Sequence, residues 1–427
     1  MKRVLLTILV LLFVLSFAGI SSATNGDNLI AIGPISRAMG GVGIAAPQDA
    51  ISAVFSNPAA MCFGPFCPGT EVNFGGTLFM PRIDARVTNA GQVTTADSDK
   101  KVFAIPAFGL SVPITSAMPL WRFGLAAYGV SGLGVDYRNT GLDNPSYFSL
   151  PSPPFPAGAT APLVAGEYTQ LQIMKFSPSI SFQPDNNFSV GIGVHIDYAN
   201  LDLRNGSSFN YSVGGQAGLI YKLTDGVTFG ATYVSPQSVK YKMVNDFDQD
   251  GTSDDLKLEQ PQQAGVGLAI EPVKDVLLIE VDGKWINWAS ARGYSDFDWK
   301  NQWVGAIGIQ FKPAPEIALR AGYNYGNNPV REHEDFAGTS FTTVQGKTMP
   351  TYYYETFRIV GFPALVKQHV TAGIGYEVSN KLAFNLGYMH AFKETLKESG
   401  TNLFGQPATL ESTLREDSIE FGITWRF

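Results

Sequence analysis

The last ten residues, Ser418 to Phe427, alternate without a break and stop on an aromatic. Ile419, Phe421, Ile423, Trp425 and Phe427 share one side of an extended strand, and Ser418, Glu420, Gly422, Thr424 and Arg426 share the other. Successive side chains of a strand point to opposite faces, so this segment separates an apolar face from a polar one. The same two-sided pattern recurs through most of the chain, with no helical layer to cover it. A closed barrel with lipid outside and water or ligand inside satisfies both faces.

The N-terminus bears on where such a barrel would sit. Lys2 and Arg3 precede an apolar run from Val4 to Ile20, followed by Ser21-Ser22-Ala23. A basic start, an apolar middle and small residues at the end define a secretory signal peptide over 1–23, cleaved after Ala23; an uncleaved anchor is the alternative. After Ile20 no apolar run approaches the ~18 residues of a spanning helix. A membrane-resident mature chain must therefore be a barrel, which pairs its own backbone in lipid. Charged residues make up 16% of the sequence, against roughly 25% in soluble domains, and Gly numbers 45. The net charge of −7 argues against nucleic acid as a partner.

Residues 24–69 read differently from the rest. Small residues (Ala38 to Ala46) are broken by Pro34, Pro47, Pro58, Pro65 and Pro68, a segment too small to fold alone and suited to plugging something larger. Cys62 and Cys67 lie here, and in an exported chain a disulfide is the default reading of the pair. From residue 70 to 427 candidate strands follow one another. Phe188, Val190, Ile192, Val194, Ile196 and Tyr198 oppose Ser189, Gly191, Gly193, His195, Asp197 and Ala199. Turns such as Thr224-Asp225-Gly226 and Ser379-Asn380-Lys381 are short, whereas Arg138–Glu167 and Asn327–Lys367 are long. Short periplasmic turns and long external loops are the asymmetry of outer membrane barrels. The fold class is all-β: a transmembrane antiparallel barrel of about 14 strands with an N-terminal hatch.

The residues then resemble a known family, the FadL-type outer membrane transporters of long-chain fatty acids and aromatic hydrocarbons. The resemblance spans nearly the whole mature chain. It rests on Arg37-Ala38-Met39-Gly40-Gly41 and on Asp49 to Ala60, which contains Asn57-Pro58-Ala59 like the family's hatch motif. Trp285 to Trp288, Leu319 to Tyr323, Pro329-Val330 and Gln368 to Gly373 follow in order. The resemblance implies capture of an apolar cargo outside, an interior pocket, and hatch movement that releases cargo sideways at a kink in the third strand. That strand would be Trp121 to Tyr137, with Gly129, Gly132 and Gly134 as kink residues and Gly132-Leu133-Gly134 as its centre. The alternative is that these glycines relieve crowding by the hatch.

Where the family carries a long helical external loop between strands five and six, this chain has only about Asn200 to Asn210. Capture would then fall to Tyr147, Phe148, Leu150, Phe155 and Leu163 in one loop, and to Tyr352, Tyr353, Tyr354 and Phe357 in the other. Exposed apolar loops mark binding surfaces; packing of the two loops on each other as a lid is equally compatible. Fatty acid cargo would need a cation, for which Arg37, Lys175 and Arg320 are candidates, each also suited to a lumen salt bridge.

Asp246, Asp248, Asp250, Thr252 and Asp254 follow the spacing of a calcium loop with Gly251 at its sixth position, but Lys257 stands where the bidentate Glu belongs. A structural calcium and an ion-free acidic hairpin tip both fit. Catalysis finds no motif: there is no Gly-x-Ser-x-Gly elbow, and His195, His333, His369 and His390 are scattered. Apart from the possible structural ion, no cofactor is expected. The expected function is uptake of hydrophobic molecules, most of all long-chain fatty acids, by a monomer in the outer membrane of a Gram-negative bacterium. Its partners would be a hydrophobic ligand, membrane lipid and the barrel assembly machinery, which reads a terminal aromatic such as Phe427. An adhesive barrel whose loops bind a surface partner is the competing reading.

Overall fold

The computed structural model describes residues 24–61, 70–99, 101–114, 120–154 and 156–427. The expected signal peptide, Cys62, Cys67 and Phe155 lie outside these. Fourteen antiparallel strands close into a barrel. In chain order they are β1 (Glu71–Asn89), β2 (Phe103–Pro113), β3 (Trp121–Asp136), β4 (Tyr168–Phe182), β5 (Phe188–Leu203), β6 (Gly206–Thr224) and β7 (Val227–Val234). Then come β8 (Gln263–Val273), β9 (Leu277–Ile286), β10 (Gln302–Ala314), β11 (Ile317–Gly326), β12 (Gln368–Ser379), β13 (Leu382–Thr401) and β14 (Pro407–Arg426). Closure is made by β1, which pairs with β14 from Glu71↔Arg426 to Asn89↔Ala408 and with β2 from Glu71↔Ser111 to Phe79↔Phe103.

The alternation is realised as inside and outside. On β5, Ile192 is 66% exposed on the outer face while Asp197 is fully buried in the lumen. On β14, Ile419, Phe421, Ile423 and Trp425 point out, and Ser418 and Glu420 point in. Such an apolar outer band is stable only against hydrocarbon. Turns are short at one end of the barrel and the connections 137–167, 235–262 and 327–367 are long at the other. The link expected at Asn200–Asn210 is a tight hairpin, with β5 running to Leu203 and β6 starting at Gly206.

Residues 24–61 fill the barrel as a buried hatch. It holds two short helices, α1 (Pro34–Ala38) and α2 (Ala50–Ser56), and a single 3-10 turn over Pro58–Ala60. The α2 helix starts in a capping box: Asp49 Oδ1 accepts from Ser52 N at 2.8 Å, and Ser52 Oγ accepts from Asp49 N at 3.3 Å. Reciprocal caps of this kind satisfy N–H groups the helix cannot pair itself.

The wall accommodates the hatch by omitting side chains. Every barrel strand except β4 and β9 turns a glycine toward it. A Cβ on Gly191 would lie 2.4 Å from Ala59 N, one on Gly230 2.2 Å from Ile44 O, and one on Gly322 2.1 Å from Gly40 N. On β4 the buried lumen residues include Lys175, Ser177, Ser179 and Ser181. On β9 they include Glu280 and Asp282, which hold the hatch instead of yielding to it. Asp282 Oδ2 accepts from Gly43 N and Ile44 N at 3.0 and 3.1 Å; Glu280 Oε1 accepts from Ala45 N and Ala46 N at 2.7 and 3.1 Å. Four consecutive backbone donors thus meet two carboxylates, the charge-assisted arrangement that is strongest out of water.

Candidate functional site

The ladder between β2 and β3 stops short. It runs from Pro113↔Arg122 to Ala107↔Tyr128 and ends next to Pro106, which has no N–H to donate. Toward the other end of β3 the segment ahead of β2 meets it at Asp99, whose N–H donates to Asp136 O at 2.9 Å, and at Ser98, whose Oγ accepts from Asp136 N at 3.0 Å. Between these limits β3 has no ladder partner in the wall on that side among the described residues. On its other side the register with β4 shifts between Gly129 and Ser131. The irregularity therefore sits at Val130, just before Gly132-Leu133-Gly134, which pair regularly with β4. The glycines differ from the collar around the hatch. The atoms nearest a Cβ on Gly129 belong to Ile105 of β2, and those nearest one on Gly134 belong to β4.

The hatch occupies the vacated edge of β3. Leu29 N donates to Val130 O at 3.1 Å and Gly132 N to Asp27 O at 3.3 Å, with Asn28 and Ser131 bridged antiparallel. Asp27 is in turn hydrogen-bonded by the Tyr294 hydroxyl. A backbone segment of the plug thereby completes hydrogen bonds that the missing stretch of wall would have made, as buried backbone groups require.

A cavity of about 650 Å3 runs through the window from the lumen to the outer face of the barrel. Leu29 and Thr24 of the hatch, Phe79 and Ile83 of β1, Ile105 of β2 and Leu133 of β3 line it. Gln170, Gln172 and Asn200, on the outer face of β4 and β5, supply neutral polar groups at its mouth. Glu416 is the one charged side chain on its wall, and no Lys, Arg or His lines it among the described residues. A mostly apolar chamber with a few polar groups suits a hydrophobic ligand. A smaller chamber of about 70 Å3 above α2 is lined by Tyr128, Lys175, His195 and Lys284.

The three candidate cations have different fates. Arg37 is buried and pairs with Glu420 at 2.8 Å, adding Ser418 Oγ at 3.0 Å and Ala31 O at 3.2 Å. Lys175 pairs with Asp197 at 2.8 Å and also bonds Gln237. Both are lumen salt bridges, not open carboxylate receptors. His195 and Asp197 do not orient one another; Lys175 stands between them, 3.4 Å from His195 Nδ1. Among the described residues Arg320 bonds two neutral amides, Gln310 Oε1 at 2.6 Å and Asn385 Oδ1 at 2.9 Å.

The Asn57-Pro58-Ala59 segment is a staple. Asn57 Nδ2 lies within donor distance of Ile44 O (2.8 Å) in the hatch, and of Leu219 O (3.0 Å) and Ala231 O (3.3 Å) in β6 and β7. Its Oδ1 caps Ala59 N at 3.1 Å, and Pro58 is preset for the first helical position.

The aromatic loops are not an exposed surface. Phe148, Leu163, Tyr352, Tyr353, Tyr354 and Phe357 are buried, while Tyr147 and Leu150 are partly buried against the same cluster. The two long loops pack on each other as a lid, since apolar side chains that can meet leave water. Phe148 and Tyr352 meet edge to face at 5.8 Å, Tyr353 Oη donates to Pro162 O at 2.8 Å, and Ala165 N donates to Thr356 Oγ1 at 2.9 Å. Here α3 (Thr351–Thr356) leads into Arg358, whose buried guanidinium pairs with Glu355 at 3.3 Å and Glu398 at 3.0 Å. His333 joins Glu355 at 2.8 Å and Asp298 at 2.9 Å, and these bonds, the Glu355 bond foremost, hold its pKa above the ordinary imidazole value. None of this network carries a sequence signal, because its members lie in four separate segments.

At the acidic hairpin tip, Asp246, Asp248 and Asp254 bring ligand atoms within 4.8 Å of one another. The Lys347 ammonium lies 2.6 Å from Asp254 and 3.4 Å from Asp248, where a divalent ion would have to sit. Asp246 accepts from Asp250 N and Gly251 N, and Asp250 accepts from Thr252 N at 2.8 Å. The tip as it stands is neutralised by a lysine, and its residues fit a calcium ion only if Lys347 leaves.

No family model and no curated protein matches the sequence. Solved structures do match in fold. The toluene transporter TodX of Pseudomonas putida aligns at 20% identity over 95% of this chain and 100% of that one, with a TM-score of 0.64. A FadL homologue of Pseudomonas aeruginosa aligns at 18% identity over 95% and 98%, with a TM-score of 0.61. The toluene transporter TbuX of Ralstonia pickettii aligns at 15% identity over 93% and 99%, with a TM-score of 0.59.

Proposed function

We propose that this chain, which has the FadL-type fold, is a FadL-type transporter that admits small hydrophobic molecules through the outer membrane of a Gram-negative bacterium. Cargo enters beneath the lid, occupies the cavity of about 650 Å3, and leaves sideways through the gap between β2 and β3. The observation that carries this reading is the coincidence of the ladder break with that cavity. An apolar molecule gains nothing from an aqueous bore, and a side exit returns it to hydrocarbon. The hatch closes the route by bonding to β3 at Val130 and Gly132, so its N-terminal residues must let go for cargo to pass. The outer apolar band supports a barrel seated in membrane lipid; in this reading it acts as a monomer, assembled by machinery that reads the terminal aromatic.

Long-chain fatty acids were the cargo expected from sequence. The cavity wall, with Glu416 and no cation, favours a neutral hydrocarbon or aromatic over an ionised carboxylate, which needs a positive or donor partner when desolvated.

A reversible cross-link tests the route. A Cβ on Gly129 would lie 3.8 Å from Ile105 Cβ, the usual span of a disulfide. With Cys62 and Cys67 replaced by Ser, Ile105→Cys/Gly129→Cys should block toluene uptake into proteoliposomes when oxidised and restore it when reduced. Equal uptake in both states would exclude exit through this window. Oleate transported faster than toluene at neutral pH would overturn the neutral-cargo assignment.

A further inference from the structure

A third cavity, of about 270 Å3, opens at the short-turn end of the barrel, between the hatch and strands β10 to β14. Lys312, Arg320 and Arg426 line it against Glu316 and Glu377, with Ile35, Ala318 and Ala383 among its apolar residues. Glu377 is shared: it lies 3.8 Å from Lys312 and 3.4 Å from Arg426, and Arg426 also reaches Glu71 at 3.5 Å. Arg320 makes none of these ion pairs; Asp49 of the hatch and Glu377 act on its charge only through space. It is buried, yet no carboxylate lies within ion-pair distance of it among the described residues; its Nε and Nη1 donate to Gln310 and Asn385, and Nη2 is left for the cavity. A buried guanidinium is ordinarily matched by an anion.

The wall is shaped to admit this group. A Cβ on Gly375 would lie 2.8 Å from Nη1 and 3.2 Å from Nη2, so any larger residue on β12 would press on the guanidinium. The hatch is wired to it as well, since Gln310 Nε2 donates to Gln48 Oε1 at 3.0 Å.

We infer that this cavity is a binding site for a small organic carboxylate arriving from the periplasmic side, anchored by Arg320, with Ile35, Ala318 and Ala383 receiving its short apolar tail. Inorganic phosphate offers the same oxyanion chemistry but no tail, and the apolar lining favours the organic acid. The site is separate from the window cavity and does not depend on what the barrel transports.

The test is binding of 4-fluorobutyrate to the purified full-length protein in a nonionic detergent, followed by fluorine NMR. Saturable binding is expected, weakened at least tenfold by Arg320→Gln, less by Arg320→Lys, and not competed by butanol. Gly375→Ala, which displaces the guanidinium without removing it, should weaken binding too; heat-modifiable electrophoretic mobility reports that each variant is folded. Binding unchanged in folded Arg320→Gln and Gly375→Ala would overturn the site. Competition by butanol as effective as by butyrate would make it a plain apolar pocket, and phosphate binding more tightly than butyrate would overturn the organic-acid assignment.

Discussion

Asn28 of the hatch and Ser131 of β3 face each other as an antiparallel bridge, at the point where β3 has parted from β2. The plug is therefore a temporary strand neighbour as well as a stopper. Its N-terminal segment and the wall opening are two sides of one set of hydrogen bonds, so movement of one alters the other.

The glycine collar makes a contrast between two similar substitutions. Gly322→Ala places a Cβ 2.1 Å from hatch backbone, whereas Gly283→Ala meets nothing within 4 Å. Overpacking of this kind costs about 1–3 kcal/mol, and a neutral site changes stability by less than about 0.5 kcal/mol. Limited proteolysis of the folded protein should cut the hatch faster in Gly322→Ala and at the unaltered rate in Gly283→Ala.

Asn57→Ala removes the two amide N–H donors that three carbonyls share. At about 0.5–1.5 kcal/mol for each bond, hatch seating should weaken by roughly 1–3 kcal/mol. Hydrogen exchange over residues 40–60 should accelerate accordingly, and planar-bilayer recordings should show brief openings that the parent protein lacks.

The lid is predicted to be pH-dependent through His333. Its pKa is raised in the folded state by Glu355 first and by Asp298 as well, against burial and the nearby Arg358. The stabilisation it provides is full below the unfolded imidazole value, near 6.5, and is lost as pH rises through the higher folded value. Exchange protection at 351–366 should fall across that window and become independent of pH there in His333→Ala.

Removing Lys347 should expose a latent cation site. In the parent protein, millimolar calcium should leave thermal stability unchanged, because the ammonium already pairs with Asp248 and Asp254. In Lys347→Gln the three aspartates repel one another, and calcium should raise Tm in a saturable manner. Equal responses from both proteins would show that the lysine does not govern the site.

The barrel was legible in sequence because alternation is a local property: Ile192 and Asp197 reveal their faces from spacing alone. The Asn57-Pro58-Ala59 segment was legible as a motif, but its wall contacts were not, since Leu219 and Ala231 offer backbone carbonyls that no side chain marks. Among the kink candidates Gly129 adjoins the register shift at Val130, while Gly132 and Gly134 lie beyond it in regular pairing with β4. Gly132 and Gly134 attract attention in a strand, whereas the break arises from Pro106 across the way and an extra residue at Val130. The aromatic loops illustrate the remaining gap. Tyr352 and Phe148 are far apart in sequence, and whether such residues face water or each other depends on a packing partner that one segment cannot specify.

The glycine collar has one more implication. A bore whose wall carries hydrogen atoms in place of side chains has no constriction of its own at that level. Full ejection of the plug would leave a broad, backbone-lined hole, open to every small solute on either side. The same residues that admit the hatch thus oblige it to stay, and traffic that spares the membrane's seal has to go around it, through the side.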